Sequence, residues 1–329
     1  MNIRRRYRLL SPLPLLLIVF AGLGGALADT RAQTPPAAWP APDAEALPAG
    51  IWKDTVLRGR ALFAETPSLI GPEVRDRSMR YAGNNLSCQS CHLQGGMQRY
   101  GMPLIGVYGA FPVYIARENE VRTIEDRIEG CMERSMNGRT LPVDGKEMKA
   151  LVAFLQFLST GVPIGASLDG RGSPALPMLD RAANPAHGAE VFTQKCAVCH
   201  QPNGQGIRKG PRGDAKGYQF PPLWGPDSFN DGAGMHRLIA SANFIRANMP
   251  FGTKYDAPVL SVEDAWDVAA YINSQPRPKR AHLDRDYPDR TRKPVDAPFP
   301  PFADAFPLEQ HRLGPFPPIL AARAKSGSH

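Results

Sequence analysis

Two pentapeptides, Cys88-Gln89-Ser90-Cys91-His92 and Cys196-Ala197-Val198-Cys199-His200, decide how this chain is read. Both have the spacing C-x-x-C-H. In it, two thiols can bond the two vinyl groups of one porphyrin while the next residue turns its imidazole under the iron. A zinc site would need four ligands gathered in one place, and the chain has no paired C-x-x-C and H-x-x-x-H pattern. Two covalently bound haem c groups are therefore expected. Cys88, Cys91, Cys196 and Cys199 would be the attachment points, with His92 and His200 as proximal iron ligands.

Outward from these sites, the same order of parts occurs twice. Gly59-Arg60-Ala61-Leu62-Phe63 precedes the first site and Gly188-Ala189-Glu190-Val191-Phe192 the second; both read as short helices. After each site comes a turn, Pro103-Leu104-Ile105-Gly106 or Pro222-Leu223-Trp224-Gly225. Each half closes on an amphipathic helix, Met148 to Ser159 and Val262 to Ser274. Leu151, Val152, Leu155 and Leu158 in one, and Ala265, Val268, Ala269 and Ile272 in the other, recur at helical spacing. The layout resembles the class I cytochrome c fold, in which first and last helices cross beside the haem edge. The expected fold class is all-α, with two tandem class I cytochrome c-like domains at 51–164 and 188–278. Residues 165–187, rich in Gly, Pro and Ala and without periodicity, read as a linker. The Pro-rich stretch 279–329 cannot form another core. It is either laid over the body as extended segments pinned by Phe299, Phe302, Phe306 and Phe316, or disordered.

The chain begins with Arg4, Arg5, Arg6 and Arg8, then an apolar run from Leu13 to Leu27 ending in Ala26-Leu27-Ala28. Residues 1–28 read as a secretory signal with an A-x-A cleavage site, followed by an N-terminal extension at 29–50. Pro12 and Pro14 shorten the run and disfavour the alternative of a retained anchor. Export to the periplasm, with no membrane segment after cleavage, is expected. The formal charge of +8 comes from 39 basic and 31 acidic residues. Cleavage removes four arginines and no acid, leaving 35 against 31, or +4, and four haem propionates would bring that near zero. The basic balance therefore points to no nucleic-acid partner.

In the second half, Asn248-Met249-Pro250 follows a helical stretch 49 residues after His200 and resembles the Met-Pro loop that supplies a distal sulfur in class I cytochromes. A Met ligand raises the haem potential, as electron transfer requires. Met249 could otherwise be core filling, with Met235 as the reserve ligand. The first half departs here, and two distal sulfurs compete, Cys131 and Met136. Cys131 is the unpaired fifth cysteine. Val121, Ile124, Ile128 and Cys131 form one helical stripe, which suits a small buried hydrophobe and equally a thiol facing the haem. Arg127 and Ser135 lie four residues either side of Cys131, on the same side of the helix. A cationic neighbour and a ferric iron would each stabilise the thiolate.

The run from Arg127 through Cys131 and Met136 to Gly138, the turn Pro103 to Gly109, and Phe244 to Pro250 resemble the tetrathionate-forming thiosulfate dehydrogenases, periplasmic dihaem cytochromes. This resemblance implies that Cys131 is the axial thiolate of a catalytic first haem, with Arg117, Arg127 and Ser135 in the substrate pocket. Thiosulfate and tetrathionate would be the substrate and product. It implies further that the second haem passes electrons to a small periplasmic cytochrome or other one-electron carrier. Some members place a lysine beside the second-haem methionine; Asn248 stands there in this chain, so stable His200/Met249 coordination is expected. The rival readings are a SoxA-type sulfur-oxidation cytochrome and a non-enzymatic dihaem carrier of the cytochrome c4 kind, with Met136 on the first iron.

Overall fold

The computed structural model describes Trp39 and residues 42–325. The leader expected at 1–28 and much of the 29–50 extension lie outside the described residues. The first half contains α1 (Ile51–Ala64), α2 (Thr66–Ile70), a distorted turn α3 (Leu93–Gly96), α4 (Ile124–Arg134) and α5 (Lys146–Leu158). The second contains α6 (Pro185–Lys195), α7 (Ala197–His200), α8 (Leu238–Asn248) and α9 (Val262–Ser274), and the C-terminal stretch adds α10 (Leu308–Leu313) and α11 (Pro317–Lys325). No helix or strand lies between α5 and α6. Two short antiparallel hairpins complete the framework: β1 (Val113–Ile115) with β2 (Glu120–Arg122), and β3 (Ile207–Arg208) with β4 (Tyr218–Phe220).

Each half is built on one helix crossing, α1 over α5 and α6 over α9. A glycine stands at each crossing. A Cβ on Gly59 would lie 1.9 Å from the Ala150 carbonyl oxygen, and one on Gly188 would lie 1.9 Å from that of Asp267. The backbones thus meet without an intervening side chain, and the apolar stripes beside the contact close into two cores. Val56, Leu62 and Phe63 pack with Met148, Leu151 and Phe154 in the first. Val191 and Phe192 pack with Trp266, Val268 and Ala269 in the second.

The helix starts follow from local chemistry. Thr123 and Asp126 form a reciprocal capping box at α4: the Thr123 N–H donates to the Asp126 carboxylate at 2.8 Å, and the Asp126 N–H donates to the Thr123 hydroxyl at 3.3 Å. The Asn184 side chain accepts from two N–H groups at the start of α6, which has Pro185 at its first position. By contrast α8 has no cap of its own at Arg237. Its Ile239 N–H donates instead to Asp296, 57 residues later, at 3.0 Å.

A polar seam joins the halves. Asn85 N–H donates to Asp227 at 2.9 Å, Arg208 pairs with Glu73 at 2.5 Å, and Asn230 donates to the Glu133 carbonyl at 2.8 Å. The C-terminal stretch lies against this body. Phe316 is buried beside Trp266, Phe302 stacks on the buried His311 at 3.6 Å, and Phe299 and Phe302 flank the Lys293 ammonium. Rings alone do not hold it, because Asp286, Asp296 and Asp304 each grip an arginine. Replacing Gly59 with Val should force α1 and α5 apart and destabilise the protein by about 2–3 kcal/mol, the scale of core overpacking. Thermal melts followed by circular dichroism would show this, and an unchanged midpoint would contradict the close crossing.

Candidate functional site

One cavity of about 420 Å³ occupies the first half. Its wall includes Phe63, Leu104, Ile128, Leu151 and Leu155, an apolar surface suited to a porphyrin face. Cys88, Cys91 and His92 line it, brought there by the short helical turn Cys88–Ser90 at the end of the loop that follows α2. The His92 Nδ1 lies 2.6 Å from the Met102 carbonyl oxygen. A carbonyl can only accept, so Nδ1 carries the proton and Nε2 keeps its lone pair for a metal. Burial holds the His92 imidazole below its ordinary pKa; the Met102 carbonyl opposes this and Arg127 adds to it. His200 repeats the arrangement, with Nδ1 2.8 Å from the Pro221 carbonyl oxygen. Burial again lowers its pKa against the pull of that carbonyl. The residues present therefore fit haem c: paired thiols, an imidazole in the metal-binding tautomer and, in the first half, an apolar slot.

Arg117, Arg127, Cys131, Ser135 and Met136 all line the same cavity. Cys131 is close enough to Cys88 and Cys91 to act electrostatically on both thiols, each pushed up mainly by burial, to about 12 and about 11. The two candidate distal sulfurs differ in setting. Met136 is packed in the first core at 3% exposure, whereas Cys131 is half-buried and outside that core. Both are tied to one point of backbone, since the Ser135 and Met136 N–H groups each donate to the Cys131 carbonyl at 2.9 Å.

Four guanidinium groups line the cavity, in two electrostatic classes. Arg134 is buried and held by both oxygens of Asp286, at 2.8 Å each. Arg237 is held by Asp296 at 2.8 Å. Arg117 and Arg127 have no carboxylate within 4.0 Å among the described residues, so their charge is available to a ligand. Sequence reading missed Arg134, Arg237 and their acids. It also missed that Phe229, Ala233, Gly234, Met235, Ala240 and Asn243 of the second half close the wall. Met235, the reserve sulfur for the second iron, thus faces the first-half cavity. No periodicity or motif links positions so far apart in the chain.

In the second half, Met249 ends α8, its N–H donating to the Ile245 carbonyl at 2.8 Å, and packs partly buried against the second core. The neighbouring Asn248 is buried with its side chain fully engaged. It accepts from Gln98 at 2.8 Å and donates to the carbonyls of Tyr100 at 3.1 Å and Phe244 at 2.9 Å. Two of these partners belong to the first half.

Family models match both halves, "SoxA/TsdA, cytochrome c domain" at residues 79–164 and "Cytochrome c" at 185–276. The thiosulfate dehydrogenase of Stutzerimonas stutzeri is 39% identical over 76% of this chain and 76% of its own. The chain belongs to the thiosulfate dehydrogenase family. The Allochromatium vinosum thiosulfate dehydrogenase is 40% identical over 75% of this chain and 88% of its own. Among solved structures, the thiosulfate dehydrogenase (TsdBA) of Marichromatium purpuratum superposes with a TM-score of 0.66 at 36% identity, over 73% of this chain; the match spans half of that longer chain. The fold is thus two tandem cytochrome c domains, and the chain carries two covalently bound haem c groups.

His236, between the wall residues Met235 and Arg237, is an acid-sensitive group. Burial, and secondarily Arg277, depresses the His236 pKa to about 4. Its Nδ1 and Nε2 face the carbonyls of Asp231 and Asn273 at 3.0 and 3.3 Å. An unfolded histidine titrates near pH ~6.5, so below that value the unfolded chain binds the extra proton. The stabilisation is full above pH ~6.5 and is lost as the pH falls toward 4, amounting to on the order of 3 kcal/mol. Thermal melts between pH 7 and 4 should show this decline, and His236→Gln should flatten it; parallel profiles would contradict the assignment.

Proposed function

We propose that this chain oxidatively joins two thiosulfates to tetrathionate in the periplasm, at the first-domain cavity, and delivers the electrons through the second domain to a soluble one-electron carrier. The observation that carries this reading is one wall on which the Cys131 thiol, the metal-ready face of His92 and two carboxylate-free guanidiniums meet. A leader-like N-terminus supports the location, and no helix among the described residues is long and apolar enough to cross a membrane.

The first obstacle to the reaction is charge. Two dianions 4 Å apart repel by about 4 kcal/mol even in bulk water. Arg117 and Arg127 offset that repulsion, each presenting a planar fork of donors to a sulfonate and staying charged at any working pH. Ser135, one helical turn beyond Cys131, adds a hydroxyl donor on the same face. Arg134 and Arg237, already neutralised, shape the wall without adding to its charge.

When bound, the haem groups supply one-electron acceptor capacity, two electrons for the pair. His92 and Cys131 would hold the first, His200 and Met249 the second. The Cys131 thiolate is the group that reacts. A bond forms between its sulfur and the outer sulfur of one thiosulfate, with loss of two electrons, giving a cysteinyl S–S–SO3 adduct. The outer sulfur of the second thiosulfate then attacks the outer sulfur of the adduct. Tetrathionate leaves and the Cys131 thiolate is restored. Dividing the coupling at a covalent intermediate means that the two dianions never have to meet directly. What favours Cys131 over Met136 is that Met136 is committed to the core, while Cys131 is half-buried at the cavity wall. A complete second cytochrome c domain favours this reading over a SoxA-type subunit that depends on a separate cytochrome.

Cys131→Gly should keep both haems yet lose thiosulfate-dependent ferricyanide reduction by on the order of 10⁶-fold, the scale for removing a covalent nucleophile. Undiminished turnover would refute the adduct. Met249→Leu should abolish the sulfur-to-iron charge-transfer band and lower the potential of one haem; retention of the band would reassign the second distal ligand.

A further inference from the structure

Helices α1, α6 and α4 each contain a glycine, at Gly59, Gly188 and Gly130. A glycine weakens a helix, because it loses more backbone freedom on folding than any other residue. At Gly59 and Gly188 the close crossing accounts for it: a carbonyl oxygen of the partner helix stands where the Cβ would be. Gly130 has no such partner. A Cβ built there meets nothing within 4 Å beyond its own helix backbone, although the residue is half-buried and lies in the wall of the first-half cavity. Nor does the backbone require a glycine, since φ at Gly130 is not in the left-handed region.

The neighbours on α4 define what this space suits. Arg127 is three residues before Gly130 and Arg134 four residues after it, separations that make side chains adjacent on one helix face. In the turn between the two guanidiniums, Gly130 and Cys131 stand side by side, one bare and one bearing the thiol. All four residues line the cavity. Ile128 and Ser135 occupy the opposite flank of Cys131, so the room beside the thiol on its own turn is the room at position 130. The apolar wall for a porphyrin face comes from elsewhere, from Phe63, Leu104, Ile128, Leu151 and Leu155. A bare patch next to a carboxylate-free guanidinium and a thiol suits a compact tetrahedral anion instead.

We propose that Gly130 is a specificity-determining residue, whose missing side chain leaves the floor on which the sulfonate of thiosulfate lies between Arg127 and the Cys131 sulfur. This rests on the proposed thiosulfate chemistry and adds to it the residue that sets the room for the substrate. The test is Gly130→Ala in the full dihaem protein, with two readouts that should move in opposite directions. The melting temperature should rise by about 2 °C, because alanine is the better helix former and meets no clash. In steady-state oxidation of thiosulfate by ferricyanide, kcat/KM should fall on the order of 10²-fold, the cost of displacing a reactant by about 1 Å. Haem absorption and EPR spectra, and the rate at which ascorbate reduces the haem groups, should stay as in the parent.

A merely structural glycine would not give this split. Unchanged kcat/KM in Gly130→Ala overturns the inference, and so does a lowered melting temperature, which would mean that the added methyl meets protein. An altered haem spectrum or ascorbate rate also overturns it, because the space would then belong to a haem group and not to the substrate. The two proposals fail separately: full turnover by Cys131→Gly removes the thiosulfate mechanism whatever Gly130→Ala does. Loss of turnover in Cys131→Gly with unaltered kcat/KM in Gly130→Ala removes only the role given to Gly130.

Discussion

The close crossing of first and last helices, in each half, is the contact on which everything else is hung. At Gly59 and Gly188 the absence of a Cβ lets one helix backbone rest on the carbonyl of the other. Phe63 and Phe192, four residues further along, are then delivered to the two cores. Phe63 lines the cavity and lies 6.0 Å from the His92 ring. Phe192 lies 5.0 Å from Trp224, in the turn that follows the Pro221 carbonyl holding His200. Packing at the crossing thereby helps place the two imidazoles, each with one carbonyl acceptor that sets its tautomer.

The halves are not independent beads on a string. The cavity of the first half is closed by residues 229–243 of the second, and that wall is fastened by Asp296 of the C-terminal extension. Asp296 serves twice, pairing with Arg237 and accepting from Ile239 N–H at the start of α8. One buried carboxylate thus neutralises a cavity arginine and caps the helix that delivers Met249. At the other end of the same helix, Asn248 is bonded to Gln98 and Tyr100 in the segment after the first haem site. The helix that ends at Met249 is therefore anchored at both ends to parts outside its own domain. In a protein with two haem groups, this fixes the relation between the two halves.

Electrostatic sorting divides the four cavity guanidiniums into two pairs. Four guanidiniums without counterions would be expensive to bury and would bind any anion. Pairing Arg134 and Arg237 with Asp286 and Asp296 removes that penalty, and the remaining charge is concentrated on Arg117 and Arg127 beside the Cys131 sulfur.

The sequence by itself determined what depends on short range. C-x-x-C-H spacing specified the two haem c groups, and helical periodicity in Met148–Ser159 and Val262–Ser274 located the closing helices, observed at Lys146–Leu158 and Val262–Ser274. The opening helices were under-read: α1 runs from Ile51 to Ala64, well beyond the five residues around Gly59, because its packing against α5 stabilises turns whose own pattern is weak. Cys131, Arg127 and Ser135 were legible as neighbours because three residues four apart on one helix share a face. Tertiary structure alone decided how the charges pair. Arg134 meets Asp286 across 152 positions and Arg237 meets Asp296 across 59, and no local pattern encodes such a meeting. Chain folding also turned Met235 from a candidate ligand of the second iron into wall of the first cavity, and placed a Pro-rich tail against Arg117 of that cavity. These are long-range choices made by burial, where an unpaired charge is too costly to leave and a partner must come from wherever the fold can bring one.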